Sequence, residues 1–329
     1  MQQVREEDRK PGGGVLTAFG ALVTAVFVVW AVLPLTGWDT HRYVIALVSL
    51  TPYAVPCGAL LLVVALMLRR WLIALVVALT TAGLVVGVAP RALTDEQPAE
   101  GAPLRMLSIN THLGEASPER IVDLVRTHRV DVLSVQELTP GLAAALDRAG
   151  LADVLPHRVY QPAPGGEGTG IASRFPAAPL SLVPETTLNQ PSARIDVPGA
   201  GPVEVVAVHP IYPVGADTAG AWSRELAALP DPPAEDAPPR VLAGDFNATL
   251  DHTRVRAMLG RGYTDAADAT GSGLLPTWPD GWFPPPVTID HVLVSEDIGV
   301  RGYRTYEVPG ADHRAILADL VVTPGGTPG

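Results

Sequence analysis

Three long uncharged apolar segments within the first 89 residues constrain this chain most strongly. They cover residues 15–35, 44–68 and 71–89, and none of them contains Asp, Glu, Lys or Arg. A helix rises about 1.5 Å per residue, so roughly 20 residues cross a hydrocarbon core of about 30 Å. Helices buried in a soluble domain rarely avoid every charge for so long. We therefore predict three transmembrane helices, the second bent by Pro52 and Pro56.

The distribution of cations predicts how these helices are oriented. Three cations precede the first segment, and Arg69 and Arg70 join the second to the third, whereas Arg42 stands alone between the first and second. Because cytoplasmic loops are enriched in Lys and Arg, we predict a cytoplasmic N-terminus (residues 1–14) and an extracytoplasmic remainder after residue 89. The predicted protein is a multi-pass protein of the cell membrane, with the lipid bilayer as a partner and no protein partner evident.

The rest of the chain is predicted to form one soluble domain. A polar linker (residues 90–102) leads into residues 103–323, and residues 324–329 form a loose tail. Short apolar runs typical of strands alternate with helix signals, such as Ser117-Pro118-Glu119, which is typical of a helix start. Several adjacent strands with covering helices predict an α+β layered sandwich.

Polar residues stand at the ends of six predicted strands. A single polar residue at a strand end usually caps a turn. Six such positions in one domain, which we call stations, favour a shared site. Carboxylate and amide oxygens are the hard ligands that suit Mg²⁺, Mn²⁺ or Ca²⁺. The stations are Asn110, Glu137, His209, Asp245 with Asn247, Asp290, and Asp312 with His313.

These stations resemble the motifs of the endonuclease/exonuclease/phosphatase superfamily, the deoxyribonuclease-like metal-dependent phosphohydrolases. The resemblance follows the family's order and covers residues 103–323. It implies a four-layer α/β/β/α sandwich. It is carried by Leu-Ser-Ile-Asn ending at Asn110, Val-Gln-Glu ending at Glu137, Ala-Ser-Arg-Phe-Pro around Arg174, His209, Gly-Asp-Phe-Asn over residues 244–247, Ile-Asp-His-Val over residues 289–292, and Asp312-His313.

The resemblance also implies a metal centre. Glu137, with Asn110 nearby, would hold Mg²⁺ or Mn²⁺ against a phosphate oxygen, and Asp312 would be a second ligand or a bridge to the metal. The bound cation would offset the negative charge that develops on the phosphoryl group during the reaction.

The remaining motif residues are expected to act on the water and the phosphate. Asp245 would orient or deprotonate the attacking water, and His313 would contact the phosphate or activate that water. Asp290 would accept a hydrogen bond from His313 and fix its tautomer. Asn247 and His209 would donate to the phosphate, and Asn247 could also help to place the water. Arg174 has two interpretations, a contact to the substrate phosphate or a surface salt bridge at the end of its strand.

The net negative charge of the soluble domain limits the range of possible substrates but does not identify one. Residues 91–329 contain 17 Arg, no Lys and 30 Asp or Glu. Nucleic-acid binders usually present a basic patch, so a lipid headgroup or a small phosphodiester is favoured over nucleic acid. Two alternatives to a phosphodiesterase or phosphatase stay open: a true extracellular nuclease, and a membrane-tethered binding domain with an idle site. The uncharged helices offer no ion pathway and are interpreted as an anchor.

Overall fold

The computed structural model describes residues 12–95, 100–215 and 217–323. The predicted tail (residues 324–329) and most of the predicted cytoplasmic segment lie outside these ranges. Within them the chain forms nine α-helices and twelve strands. The helices are α1 (Gly12–Thr36), α2 (Arg42–Ser49), α3 (Thr51–Met67), α4 (Trp71–Val88), α5 (Pro118–Thr127), α6 (Pro140–Arg148), α7 (Ala219–Ala227), α8 (Thr253–Gly260) and α9 (Ala266–Ala269). The strands are β1 (Ala102–Asn110), β2 (Val132–Gln136), β3 (His157–Gln161), β4 (Thr169–Ser173), β5 (Ala177–Leu180), β6 (Ser192–Val197), β7 (Gly201–Val208), β8 (Arg240–Asp245), β9 (Thr264–Asp265), β10 (Asp290–Val294), β11 (Ile298–Tyr306) and β12 (Ala315–Val322).

The strands form two six-stranded mixed sheets. The first has the order β11-β12-β1-β2-β4-β3, and the second has the order β5-β6-β7-β8-β10-β9. Each sheet has one parallel pair at its centre, β1 with β2 and β7 with β8. Because parallel strands end at the same edge, the polar residues that follow each pair are brought together.

Three apolar clusters divide the domain into four layers. One fills the space between the two sheets, a second packs α5 and α6 on the first sheet, and a third packs α7 and α8 on the second sheet. A hydrogen bond of 2.9 Å from Ser134 Oγ to the carbonyl of Ala243 links the facing strands β2 and β8. The arrangement confirms the predicted α+β sandwich.

The N-terminal helices differ from the prediction in one respect. Residues 17–36 and 71–92 are long and apolar enough to cross a membrane, and only 17% and 28% of their most apolar windows are buried. The predicted second span is instead two helices, α2 and α3, bent by 67° and counted together as a possible third span. The break falls at Leu50, before Thr51-Pro52, because proline is favoured in the first turn of a new helix. Pro56 lies inside α3 without ending it.

We call helices α1–α4 the anchor, after the role predicted from the sequence. The end of the anchor near the sandwich is fixed to the sandwich by specific bonds. Asp39, between α1 and α2, accepts from the backbone N–H of Thr253 at 2.6 Å. Arg91, in a short 3-10 helix after α4, makes two hydrogen bonds of 2.8 Å to Asp251. The first part of the predicted polar linker is therefore packed against the domain, while residues 96–99 lie outside the described ranges.

Candidate active site

The polar side chains that follow the two parallel strand pairs meet at one edge of the sandwich. Asn110 ends β1 and Glu137 follows β2 in the first sheet, while His209 follows β7 and Asp245 ends β8 in the second. Asp290 begins β10 directly opposite Asp245 in the antiparallel register. Strand order and register therefore assemble the site from segments far apart in the sequence.

Two backbone features aim these groups inward. Glu137, directly after β2, and Asn247, two residues after β8, adopt left-handed conformations with φ of 57° and 50°. Such a φ is uncommon for residues other than glycine and recurs where function holds the backbone. Gly244 is required for a different reason, because a Cβ there would lie 2.0 Å from the carbonyl oxygen of Val208 on β7. The glycine of the Gly-Asp-Phe-Asn motif thus lets β8 approach β7 and place Asp245.

Asn110 bridges the two sheets at the centre of the site. Its side-chain amide donates to Glu137 Oε1 and to Asp245 Oδ2, both at 3.1 Å. Its side-chain oxygen accepts from the backbone N–H of His112 at 3.0 Å. Asp245 also accepts from the backbone N–H of Asn247 at 2.7 Å. The side chains of the site are therefore held in place by hydrogen bonds to one another.

His313 is held between two buried carboxylates. Its Nδ1 lies 2.9 Å from Asp290 Oδ2, and its Nε2 lies 3.8 Å from Asp245 Oδ2. Burial alone lowers the pKa of His313, but the negative charges of Asp290 and Asp245 outweigh it and raise the pKa to about 10. Burial, reinforced by the charge of Asp290, raises the pKa of Asp245 to about 7 although His313 opposes the shift. The charge of each group therefore affects the titration of the other.

His209 is the neutral member of the site. Burial, together with the positive charge of His313, lowers the pKa of His209 to about 3. Its Nε2 lies 4.0 Å from Glu137 Oε1, and its Nδ1 has no hydrogen-bond partner among the described residues. A neutral imidazole at this position can donate one hydrogen bond to an oxygen in the pocket.

The site contains acceptors suited to a hard cation. Asp245, Asp290 and His313 each offer a ligand atom, and these atoms lie within 4.8 Å of one another. Asp290 Oδ1 is buried and has no hydrogen-bond partner among the described residues. Glu137 adds a third carboxylate through its contact with Asn110. Three carboxylates around one imidazolium carry excess negative charge, which a divalent cation would balance.

The structure brings together every predicted site residue except Arg174. Asp312 lies at the rim, where its Oδ1 is 4.0 Å from His313 Nε2 and its Oδ2 accepts from Trp278 Nε1 at 3.1 Å. Arg174 follows β4 at the opposite edge, where it pairs with Asp131 at 3.1 Å and donates to the carbonyl of Val130. Arg174 thus makes the salt bridge of the second interpretation, and it is not among the residues that line the pocket.

Two contributions to the site were not foreseen from the sequence. The indole N–H of Trp278 donates to Asp312 and holds this residue at the rim of the pocket. Helix α2 was expected to lie within a membrane span, yet Ile45, Ala46, Ser49 and Leu50 at its end line the pocket. The Thr51-Pro52 pair, a helix-start signal, was the available clue that α2 and α3 are separate.

Comparisons with known proteins agree with this geometry. A family model described as the Endonuclease/Exonuclease/phosphatase family matches residues 107–313. No curated protein matches the chain. At identities below 25%, likeness to a solved structure shows the fold alone.

Three similar solved structures share this fold. An endonuclease/exonuclease/phosphatase from Beutenbergia cavernae is 21% identical, covers 68% of this chain and 72% of its own, and has a TM-score of 0.55. A humanized TDP2 from D. rerio is 15% identical, with coverages of 66% and 98% and a TM-score of 0.51. The 3′ phosphatase NExo from Neisseria, bound to a product DNA hairpin, is 18% identical, with coverages of 65% and 98% and a TM-score of 0.50. With the family model spanning the strand-end stations from Asn110 to His313, the chain belongs to the endonuclease/exonuclease/phosphatase family.

Proposed function

We propose that the protein is a membrane-anchored, divalent-metal-dependent hydrolase of phosphoester bonds. The observation that carries the proposal is the convergence of Asn110, Glu137, Asp245, Asp290 and His313 in one pocket through contacts of 2.9 to 3.8 Å. Buried carboxylates and an imidazole beside open space are the groups that metal-assisted attack of water on phosphorus requires.

Glu137 would hold the metal, with Asn110 and Asp312 as neighbouring ligands, and Mg²⁺ or Mn²⁺ suits these oxygen donors. The unpartnered Asp290 Oδ1 and the accumulated negative charge favour a cation in the same pocket. When bound, the metal would offset charge on the phosphoryl oxygens.

Asp245 and His313 would activate the attacking water. Asp245, which Asn110 links to the other sheet, can accept the proton of the water. His313, 3.8 Å away, would balance the charge of Asp245 and can donate to a phosphate oxygen. Asp290 would hold His313 through its 2.9 Å contact. Asn247 and His209 would donate to the phosphoryl oxygens and orient them for attack.

The substrate would be a lipid headgroup or a small phosphodiester presented at the outer face of the membrane. Arg69 and Arg70 lie between α3 and α4, at the end of the anchor away from the sandwich, which favours a cytoplasmic location for them. The acidic catalytic domain, with 17 Arg against 30 Asp or Glu over residues 91–329, disfavours nucleic acid. Protease added to intact cells should remove the domain if it is extracytoplasmic, and protection would invert this topology.

The catalytic proposal is tested with the full-length protein in detergent. EDTA should abolish hydrolysis of a chromogenic phosphodiester, and Mg²⁺ or Mn²⁺ should restore it. Asp245→Asn and His313→Gln should each lower the rate by about 10²-fold or more. Asp123→Asn and His128→Gln, on and just after the outer helix α5, are matched controls that should retain activity.

Equal rates in the wild type and both site variants would reject the proposed function and favour the idle binding domain. A panel of phospholipids, sphingomyelin, inositol phosphates, RNA and DNA then separates the substrate classes. Preference for DNA or RNA would favour an extracellular nuclease instead.

A further inference from the structure

A cavity of about 630 Å³ opens directly from the catalytic groups. Its floor carries Asn110, Glu137, Asp245 and His313, whereas its walls are mainly apolar. A phosphoryl group needs only the polar floor. The rest of the space suits an apolar group attached to the phosphoester, because burial in an apolar pocket is favourable for such a group.

One wall of this cavity belongs to the anchor. Ile45, Ala46, Ser49 and Leu50 line the cavity from the end of α2. Positions separated by one, four and five residues lie on one side of a helix. Helix α2 therefore turns a single face to the catalytic site. Ala46 is exposed on this face, so its methyl group borders open space.

Helix α2 is held in place by the catalytic domain. The backbone N–H of Thr249 donates to His252 Nδ1 at 2.9 Å, which leaves the proton of the neutral imidazole on Nε2. His252 Nε2 then donates to the carbonyl of Ile45 at 3.1 Å. The Ile45 side chain is 1% exposed and packs in the apolar cluster of the second sheet, which includes Trp222. The wall is thus a fixed part of the site.

The segment 284–287 provides a second part of the cavity lining and is bonded to the start of α3. Pro284, Pro285 and Val287 line the cavity, and Tyr53 of α3 donates to the carbonyl of Pro286 at 2.8 Å. Trp282 and Phe283, directly before these prolines, are 86% and 74% exposed. Exposed aromatic residues at this level are typical of the membrane–water interface. The cavity therefore extends from the catalytic groups to the segment that carries these exposed aromatic residues.

We propose that this cavity is a subsite for the apolar chain of an amphiphilic phosphoester, and that α2 of the anchor forms one wall of that subsite. The proposal rests on the proposed hydrolase function and adds the substrate class. The phosphoryl group lies on the polar floor, and the chain lies between α2 and the segment 284–287. The membrane anchor is consequently part of the substrate-binding site.

Ala46→Trp tests the subsite, because an indole at that position would occupy part of the cavity beside α2. Ala82→Trp is the matched control, since Ala82 is exposed on α4 and lines none of the cavity. Both variants are compared with the wild type as full-length protein in one detergent. The substrates are p-nitrophenyl methyl phosphate and p-nitrophenyl dodecyl phosphate, and binding of dodecyl phosphate is measured by calorimetry.

We expect the wild type and Ala82→Trp to prefer the dodecyl ester. Ala46→Trp should lower kcat/KM for the dodecyl ester by about tenfold or more, mainly through KM, and leave the methyl ester within about threefold. It should weaken dodecyl phosphate binding by a similar factor. Equal losses on both esters, or no loss on the dodecyl ester, would overturn the subsite.

The two proposals can fail separately. Dodecyl phosphate binding that Ala46→Trp weakens, without hydrolysis of either ester, would reject the hydrolase and retain the subsite. Hydrolysis of the methyl ester with no preference for the dodecyl ester would retain the hydrolase and reject the subsite. Partition of the probe into detergent is common to all three proteins and cancels in the comparison.

Discussion

Replacing Asp290 by Asn isolates the role of the contact between this carboxylate and His313. In the structure Asp290 Oδ2 accepts from His313 Nδ1 at 2.9 Å, and both side chains are buried. An asparagine amide can instead donate to Nδ1, which places the single proton of a neutral imidazole on Nε2, facing Asp245. The variant therefore keeps the shape of the site and changes the charge and the tautomer.

The expected size of the effect follows from the type of bond. A buried hydrogen bond to a charged group contributes about 1.5 to 3 kcal/mol. At about 1.36 kcal/mol for each factor of ten, losing it lowers kcat/KM by roughly 10- to 150-fold. The assay is hydrolysis of a chromogenic phosphodiester by full-length protein across a Mg²⁺ titration. A positioning role lowers the rate at saturating Mg²⁺, whereas loss of a metal ligand raises the Mg²⁺ concentration needed for half-maximal activity.

The chain provides a matched control in a second buried pair. Asp265 Oδ2 lies 2.9 Å from His291 Nδ1, with both side chains inaccessible to solvent, and His291 Nε2 contacts the carbonyl of Ala248. Asp265→Asn should therefore affect folding without the catalytic loss. If Asp290→Asn retains kcat/KM within about twofold of the wild type, or loses no more than Asp265→Asn, the reasoning about His313 is refuted.

Three further predictions concern the metal and the packing. Glu137→Gln should raise the Mg²⁺ concentration for half-maximal activity by about tenfold or more, and an unchanged titration would remove Glu137 from the metal site. Arg91→Met should lower the free energy of unfolding by about 3 to 5 kcal/mol because it leaves the buried Asp251 unpaired, while Arg91→Met with Asp251→Leu should recover most of that loss in urea titrations. Trp222→Ala should lower the free energy of unfolding by about 3 to 5 kcal/mol, because the indole is fully buried against His252. Urea titrations measure this loss, and a loss below about 1 kcal/mol would contradict the packing.

Much of the sandwich could be predicted because its central strands are short, apolar and bounded by turn residues. Residues 192–197 and 315–322, for example, have the apolar patterns of strands in the sequence, and they form β6 and β12 in the structure. The strands β3 and β5 are harder to predict from the sequence, because they lie at the edges of their sheets, where half-exposed side chains weaken the apolar pattern.

More of the site residues could be predicted than their spacing in the sequence allows. The order of the family motifs identified residues that local sequence patterns do not connect. Asn110 and Asp245 are 135 residues apart and meet only after both sheets have formed. The bend near Pro52 was predicted, but the separate role of α2 beside the pocket was not. An uncharged run such as 44–68 satisfies the length of a membrane span, and hydropathy does not report that Ile45 is buried against the catalytic domain.

The division of the site between two sheets also links its activity to the packing of the sandwich. The first sheet contributes Asn110 and Glu137, the second contributes Asp245, and the Asn110 amide bonds to a carboxylate from each. Left-handed residues at both strand ends cost on the order of 1 to 3 kcal/mol each, so the surrounding packing must hold them in place. A slight shift between the sheets would separate the carboxylates that the Asn110 amide now joins. Substitutions between the sheets should therefore reduce activity before they unfold the domain.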